Sequence, residues 1–155
     1  MITGTIQLKG HLDKSNKNQA LNYTLDIQSL TANTKKLDVT GTKRSEDKVE
    51  IKVPEGIKVN LLVNDPGGDK NDYSVNHYGT GNIDLTTGNG DKDNAWAYAT
   101  YGAVKAEDKG GDDNILNAIS EFRNAEGITG QGDNDYVSVT TNGHDKFDDF
   151  NPRIN

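Results

Sequence analysis

Hydrophobic and polar residues alternate along the first sixty positions of the chain. The alternation is clearest in four stretches, at residues 2–8, 21–28, 47–53 and 57–63. Successive side chains of a strand point to opposite faces, so a period of two predicts strands with one buried face and one wet face. This part of the sequence therefore predicts a β-sheet that packs on one side only.

The connection between two of these stretches suggests how the strands pair. Residues 47–53 and 57–63 are separated only by Pro54-Glu55-Gly56, a gap short enough for a hairpin. Parallel strands need crossovers of a dozen residues or more, and strands buried on both faces read as continuous apolar runs. Two-faced strands with short turns therefore favour an antiparallel sheet.

The pattern changes after Val63. Residues 64–72 form a turn-rich stretch, and shorter strand patterns follow at 73–78, 83–87, 95–104 and 136–141. One helix is predicted over about residues 113–126, because Asp112 or Asp113 can cap its start and Gly127 can cap its end. Apolar residues at helical spacing lie between these caps: Ile115, Leu116, Ile119 and Phe122.

These elements predict an all-β fold, an antiparallel β-sandwich or jelly roll with the short helix packed on the sheet. A closed β-barrel is the alternative, because it buries alternate residues in the same way. The sequence shows no internal repeat at a fixed period, which argues against a solenoid. We expect one domain over 1–155, with regular strands in 1–63, a loop-rich acidic part in 64–141 and a polar tail in 142–155.

Composition removes several classes of protein. The 155 residues include no Cys, which excludes disulfides, thiolate metal sites and cysteine catalysis. No apolar stretch approaches the length of a transmembrane helix, so membrane insertion is not expected. The N-terminus does not read as a signal peptide, so we expect either synthesis without one, in the cytoplasm, or a mature domain with an added Met1.

Charge is distributed unevenly along the chain. The net charge is −7, with +3 in residues 1–63 and −10 in residues 64–155. The only arginines are Arg44, Arg123 and Arg153, so a nucleic-acid partner is not expected. The asymmetry fits Asp-rich loops in the second half. It also fits head-to-tail assembly, or docking on a scaffold protein, through complementary charge.

The chain has few residues that could act as catalytic bases. His11, His77 and His144 are the ordinary bases near neutral pH, and none lies in a recognisable triad context. Only His77, between Asn76 and Tyr78, is a candidate contact for a ligand or partner. The simpler interpretation is that it is a hydrogen-bonded histidine at the end of a strand. We predict no catalytic residues and no enzymatic activity.

Calcium is the cofactor that the sequence could accommodate. Turns rich in Asp and Asn supply the oxygen ligands that hard cations prefer, although none here is a complete EF-hand loop. The same residues are typical of Asx turns and a helix cap. Residues 110–116 resemble part of the nonapeptide of calcium-binding β-rolls, but the match occurs once and such turns need stacked copies. The candidate ligands are Asp65, Asp69, Asp72, Asp91, Asp93, Asp133 and Asp135.

An aromatic cluster supplies a candidate binding surface. Trp96, Tyr98 and Tyr101 fall within six residues, and the first two share a strand parity with alanines on the opposite parity. If the alanines face inward, the rings form a platform for a sugar or a partner chain. If the rings face inward, they are core, and the low aromatic content of the chain favours this second interpretation.

Three function classes follow. The first is a non-catalytic structural or assembly protein, of a virion (capsid decoration, tail or fibre) or of an extracellular polymer. The second is a calcium-stabilised carbohydrate-binding module, which would bind a glycan through the aromatic cluster. The third is an enzyme whose site is not recognisable. We favour the first, and with it a virion or extracellular location.

Overall fold

The computed structural model describes residues 2–7, 22–28, 30, 34–43, 45–142 and 153–154. Within these ranges the chain forms thirteen strands and no helix. The strands are β1 Ile2–Gln7, β2 Asn22–Asp26, β3 Thr34–Thr40, β4 Lys48–Val53, β5 Asn60–Asn64, β6 Asp72–His77, β7 Ile83–Thr87, β8 Asn94–Ala99, β9 Val104–Asp108, β10 Ile115–Ser120, β11 Ala125–Ile128, β12 Tyr136–Thr141 and β13 Arg153–Ile154.

The strands form two sheets that the chain visits in turn. The odd-numbered strands make a seven-stranded sheet and the even-numbered strands a six-stranded sheet, each in sequence order. Every pair of neighbouring strands is parallel. The architecture is a parallel β-solenoid of about five turns.

The prediction of an antiparallel sandwich, jelly roll or barrel is therefore wrong. Pro54-Glu55-Gly56 lies between β4, which pairs with β2 and β6, and β5, which pairs with β3 and β7, so it forms a corner rather than a hairpin. The strand in the other sheet provides the long crossover that a parallel pair needs. Only the inner face of each sheet is buried. Hydrophobic and polar residues therefore alternate along these parallel strands, as they do along antiparallel strands with one wet face.

The predicted helix is also wrong. Residues 113–126 contain β10, and β11 begins at Ala125. Leu116, Ala118 and Ser120 are fully buried and Ile115 is exposed, so burial follows a period of two. Ala118 and Ser120 did not register as core positions because they are small or polar, and the larger Ile115 and Ile119 then suggested helical spacing.

The chain has a structural repeat, although its period is not fixed. Val49, Tyr73, Ala95, Leu116 and Val137 lie in one register across the six-stranded sheet. Successive turns thus take 24, 22, 21 and 21 residues. The prediction that the chain has no solenoid repeat is wrong for two reasons. The number of residues per turn decreases along the chain, and the stacked positions have similar burial but different residue types.

The core narrows along the solenoid axis. One inward row of the six-stranded sheet passes from Ile51 and Val75 to Ala97 and Ala118. All four side chains are fully buried. Close Cα approaches between the two sheets, within 8 Å, occur among β7 to β13. The alanines let the two sheets approach in the shorter turns.

Candidate binding surfaces

The acidic residues predicted as calcium ligands lie mostly on one corner of the solenoid, where the chain passes from the seven-stranded to the six-stranded sheet. Five tripeptides stack there, at residues 45–47, 69–71, 91–93, 112–114 and 133–135. The middle residue of each has a φ between 59° and 64°, the left-handed conformation that turns the chain sharply. We call this stack the acidic corner.

The first residues of the tripeptides form an outer ladder. The Asp69 carboxylate accepts the backbone N–H of Asp91 at 3.2 Å, and Asp91 accepts that of Asp112 at 2.9 Å. Asp112 accepts the N–H of Asp133 at 2.9 Å, and the Ser45 hydroxyl accepts that of Asp69 at 3.0 Å. Each side chain thus holds the backbone of the next turn.

The third residues form an inner ladder that runs the other way. Asn71 accepts the backbone N–H of Asp47 at 2.9 Å, and Asp93 accepts that of Asn71 at 2.9 Å. Asn114 accepts the N–H of Asp93 at 2.8 Å, and Asp135 accepts that of Asn114 at 3.0 Å. The side chains of Asn71, Asp93 and Asn114 are buried, so this part of the ladder belongs to the interior. The two ladders join adjacent turns in opposite directions.

The two inner asparagines each pair with an aspartate six residues earlier. Asn71 donates from Nδ2 to the Asp65 carboxylate at 3.0 Å, and Asn114 donates from Nδ2 to Asp108 at 3.3 Å. Asp65 and Asp108 are both buried. The amide supplies the donor that a buried carboxylate needs.

The turns at residues 91–93 and 133–135 have the reverse assignment. Asp93 and Asp135 occupy the inner ladder, and the residue six positions earlier is a threonine, Thr87 or Thr129. Each turn therefore carries one aspartate at these two interior positions, and its place alternates from turn to turn. Since stacked turns are about 4.8 Å apart, the alternation keeps like charges from stacking directly.

Burial changes the titration of these carboxyl groups. Burial raises the pKa of Asp93 to about 7, and the charges of Asp65 and Asp108 add to the effect. Burial likewise raises the pKa of Asp65 to about 6, and it raises the pKa of Asp108. Asp93 Oδ2 is buried and has no hydrogen-bond partner among the described residues. Asp93 is therefore partly protonated near neutral pH.

The predicted calcium ligands thus serve mainly as acceptors for backbone N–H groups. Asp72 directly follows the acidic corner, at the start of β6, where its carboxylate accepts a hydrogen bond from Asn94 Nδ2 at 3.0 Å. Across the described ranges, no group of three or more His, Asp or Glu side chains is placed to hold a metal ion. Calcium binding stays a prediction.

The aromatic residues of β8 lie on the outside of the six-stranded sheet. Ala95, Ala97 and Ala99 are buried, whereas Trp96 is 38% exposed. The favoured interpretation of the rings as core is therefore wrong, because the narrow interior of this turn accepts only small side chains. The geometry matches the other interpretation, in which the rings face solvent.

Residues of neighbouring strands extend this surface. Ile119 lies opposite Tyr98, and Tyr136 lies opposite Ile115 on β12. The Tyr98 hydroxyl donates to Glu121 Oε1 at 2.6 Å, and the Tyr98 ring contacts the Tyr78 ring with centroids 5.7 Å apart. We call the surface the aromatic face; it comprises Tyr78, Trp96, Tyr98, Ile115, Ile119 and Tyr136.

The other two candidates, His77 and Tyr101, lie away from the aromatic face. His77 ends β6, is fully buried, and has Nε2 2.8 Å from the Val59 carbonyl oxygen, to which it donates. Burial lowers the pKa of His77, so the ring stays neutral. Tyr101 lies where the chain leaves the six-stranded sheet, and its ring stacks on Phe122 with centroids 5.3 Å apart.

The candidate ligands left out four buried polar residues that lie in the acidic corner or pair with it. Asp47, Asn71, Asp108 and Asn114 are as buried as Asp65 and Asp93 and make the same kinds of hydrogen bond. The available signal was the recurrence of a polar residue, any residue, then Asp or Asn, at intervals of 24, 22, 21 and 21. Asp- and Asn-rich turns are the candidate calcium sites of the sequence, but the candidate ligands are aspartates only, and the stacking of these turns was not recognised.

Together these features define a parallel two-sheet β-solenoid with a hydrogen-bonded acidic corner and an exposed aromatic face. Comparison with protein-family models, with curated proteins and with solved structures finds no match to the chain. The part of the chain that the structure describes has no helix of the length and apolarity needed to span a membrane.

Proposed function

We propose that the chain is a non-catalytic structural protein that assembles end to end, in a virion (capsid decoration, tail or fibre) or in an extracellular polymer. The observation that carries this proposal is the distribution of charge. Each turn of a solenoid stacks on the previous one, so position in the sequence becomes position along the axis. Residues 1–63 carry +3 and residues 64–155 carry −10. Among the residues that the structure describes, six lysines balance six acids before Asn64, whereas six basic residues stand against fourteen acids from Asn64 onwards, so one end of the solenoid is much more acidic than the other.

The edges of the six-stranded sheet also support assembly. Within the described residues, β2 and β12 are the two outermost strands of this sheet. An outermost strand presents unpaired N–H and C=O groups that can pair with another chain. Because all strands are parallel, β2 of a second copy placed beside β12 would continue the sheet in the same direction.

The chemistry of the histidine supports a non-catalytic role. His77 is the one histidine in the described ranges, and its Nε2 is committed to the Val59 carbonyl. Its ring is fully buried and its pKa is lowered by burial. His77 is therefore not placed to exchange protons with a substrate in solution.

Light scattering at low and high salt tests end-to-end assembly. We expect oligomers at about 0.05 M salt that dissociate towards 1 M, where the Debye length falls to about 3 Å. The variant Asp113→Lys with Asn134→Lys raises the net charge of the acidic end by three. Both positions have φ near 60°, as Lys70 and Lys92 do in equivalent places, so the fold should tolerate the change.

The charge variant should form smaller oligomers than the wild type at low salt. The matched control is Lys70→Arg with Lys92→Arg, which keeps the charge at the same corner and should assemble as the wild type does. A wild-type protein that stays monomeric at low salt and high concentration would contradict the proposal. So would oligomers that do not respond to salt or to the charge variant.

A second candidate function is carbohydrate binding on the aromatic face. Trp96 is 38% and Tyr136 60% exposed, and the neighbouring outward positions Asn94 and Asn117 can hydrogen-bond to hydroxyl groups. Flat aromatic rings pack against the apolar faces of sugar rings. The exposed rings and the amide side chains beside them therefore favour a sugar as the ligand of this surface.

A glycan array with Trp96→Ala tests this second candidate. Because Trp96 lies on the surface, we expect binding to be lost while Tm stays within a few degrees of the wild type. Tyr23→Ala is the control, since Tyr23 is 39% exposed but lies on β2, away from the aromatic face. An array without any signal would exclude this function, and so would equal binding by the Trp96 variant.

A further inference from the structure

A groove lies at the corner where the chain passes from the six-stranded to the seven-stranded sheet, away from both the acidic corner and the aromatic face. It has a volume of about 260 Å³. The polar and aromatic residues that line it come from four successive turns: Lys35, Lys58, Asn60, Thr80, Asn82 and Tyr101. We call it the basic groove. From Lys35 to Tyr101 it passes three turn spacings, or about 14 Å.

The lysines of this groove differ from the lysines on the neighbouring strands that are paired with carboxylates. Lys36, Lys52 and Lys105 lie 2.6–2.9 Å from the carboxylates of neighbouring residues. Lys35 and Lys58 have no such ion pair among the described residues, and no carboxylate lines the groove. In a chain with a net charge of −7, two unpaired lysines in an acid-free groove favour an anionic ligand.

The asparagines of the groove are oriented by the backbone. Asn60 Oδ1 accepts the N–H of Asn82 at 2.9 Å, and Asn82 Oδ1 accepts the N–H of Ala103 at 2.9 Å. Because both amide oxygens are occupied, the Nδ2 groups are left to donate. With the two ammonium groups, the groove therefore offers mainly hydrogen-bond donors, which suits carboxylate acceptors.

Tyr101 closes one end of the groove with a fixed aromatic ring. Phe122, one turn further along the axis, stacks on Tyr101 with an interplanar angle of 6°. Tyr101 remains 51% exposed. The stack holds the ring in place before a ligand arrives, which lowers the entropic cost of binding. A ring held this way suits the apolar face of a sugar.

We propose that the basic groove binds an acidic oligosaccharide, with uronate carboxylates at Lys35 and Lys58 and one sugar ring against Tyr101. The length of the groove, about three turn spacings, favours several linked sugars over a single small anion. This site is separate from the aromatic face and does not depend on end-to-end assembly.

Calorimetry with a short oligogalacturonide tests the proposal. The wild type should bind at low salt, and affinity should fall as salt rises. The methyl-esterified oligogalacturonide, which has the same sugars without the charges, should bind at least about tenfold more weakly, because charge-assisted hydrogen bonds are lost. Oligomeric state is measured by light scattering on the same samples, so a change in assembly is seen separately.

Two variants with equal charge changes separate a built site from general attraction. Lys35→Gln with Lys58→Gln should weaken binding about tenfold or more, whereas Lys36→Gln with Lys52→Gln should change it less than about threefold. Tyr101→Ala should weaken binding to both forms of the sugar. Absence of wild-type binding would overturn the proposal, as would equal losses in the two lysine variants. Equally tight binding of a single-stranded oligonucleotide would also overturn it, since it would indicate a site for any polyanion.

Discussion

Asp93 shows how a buried carboxyl group is accommodated in the acidic corner. Its Oδ1 accepts a backbone hydrogen bond from Asn71, but its Oδ2 has no partner among the described residues. In the turn before, Asn71 donates from the equivalent side-chain position to the Gly68 carbonyl at 2.9 Å. An unpaired buried oxygen is costly when it is charged, and this favours the protonated acid.

The substitution Asp93→Asn should flatten the dependence of stability on pH. The folded pKa of about 7 is above the unfolded value, so the native state binds more protons than the unfolded state between about pH 4 and pH 7. Stability should therefore fall as pH rises through 7, by about 1.4 kcal/mol between pH 6 and pH 8 from this group alone. The variant's side-chain amide does not titrate, so it would lack this loss, and it could donate to the Gly90 carbonyl.

Thermal melts of both proteins across this pH range give the comparison. The difference in Tm, variant minus wild type, should be about 2–4 °C larger at pH 8 than at pH 6. The lowered pKa of His77 destabilises the fold at acid pH in both proteins and cancels in the difference. Identical pH profiles for the two proteins would contradict a raised pKa at Asp93.

Part of the candidate site was accessible from the sequence. The residue types of the acidic corner and the parity of Trp96 and Tyr98 could be read directly. Whether the rings pointed inward could not, because it depended on the width of the core. Lys35 and Lys58 are distant from Tyr101 in sequence, and only the stacking of turns places them in one groove.

At the scale of elements, strand β10 shows the limit of pattern reading. Its inward residues Leu116, Ala118 and Ser120 are not distinctive as a hydrophobic set, and its outward Ile115 is larger than two of them. A narrow core selects small inward side chains, so hydrophobicity no longer marks the buried face. The strands before Val63 were read correctly as strands because the wider turns there are filled by Val, Ile and Leu.

Enlarging an inward side chain of β10 should therefore be costly. Ala118→Leu adds three carbons at a fully buried position and should destabilise the protein by about 1–3 kcal/mol. Ile115→Ala is the control, because Ile115 is 44% exposed and its loss should cost about 0.5 kcal/mol or less. Denaturant melts measure both. The opposite order of effects, with Ile115 the sensitive position, would support the helix instead of β10.

The direction of the strands could not be read from the pattern. Alternation reports that one face of a strand is buried, and this holds for an antiparallel sandwich and for a parallel solenoid alike. Short gaps such as Pro54-Glu55-Gly56 serve as hairpin turns in one fold and as corners in the other. The distinguishing signal is the spacing of 21 to 24 residues between equivalent positions, which the changing length of the turns obscures.

At the scale of the whole molecule, the order of the turns determines every proposed function. It converts the charge asymmetry of the sequence into two unlike ends, and it places the basic groove and the aromatic face across several turns. Each turn contacts mainly its neighbours, so stability depends on a series of similar interfaces. The parallel register of adjacent turns is thus the central claim.

A disulfide between adjacent turns tests that register directly, because the chain has no cysteine of its own. Asn117 and Ser138 face each other on β10 and β12, with Cα atoms about 4.8 Å apart, within the range that a disulfide spans. Thr140 lies two residues further along β12, about 8 Å from Asn117, beyond that range.

The measurement is the yield of intramolecular disulfide in the oxidised double-cysteine variants, read by mass spectrometry. Asn117→Cys with Ser138→Cys should form the bond nearly completely and keep a cooperative melt. Asn117→Cys with Thr140→Cys should form little of it under the same conditions. Failure of the first pair, or equal yields for the two pairs, would contradict the parallel β-solenoid.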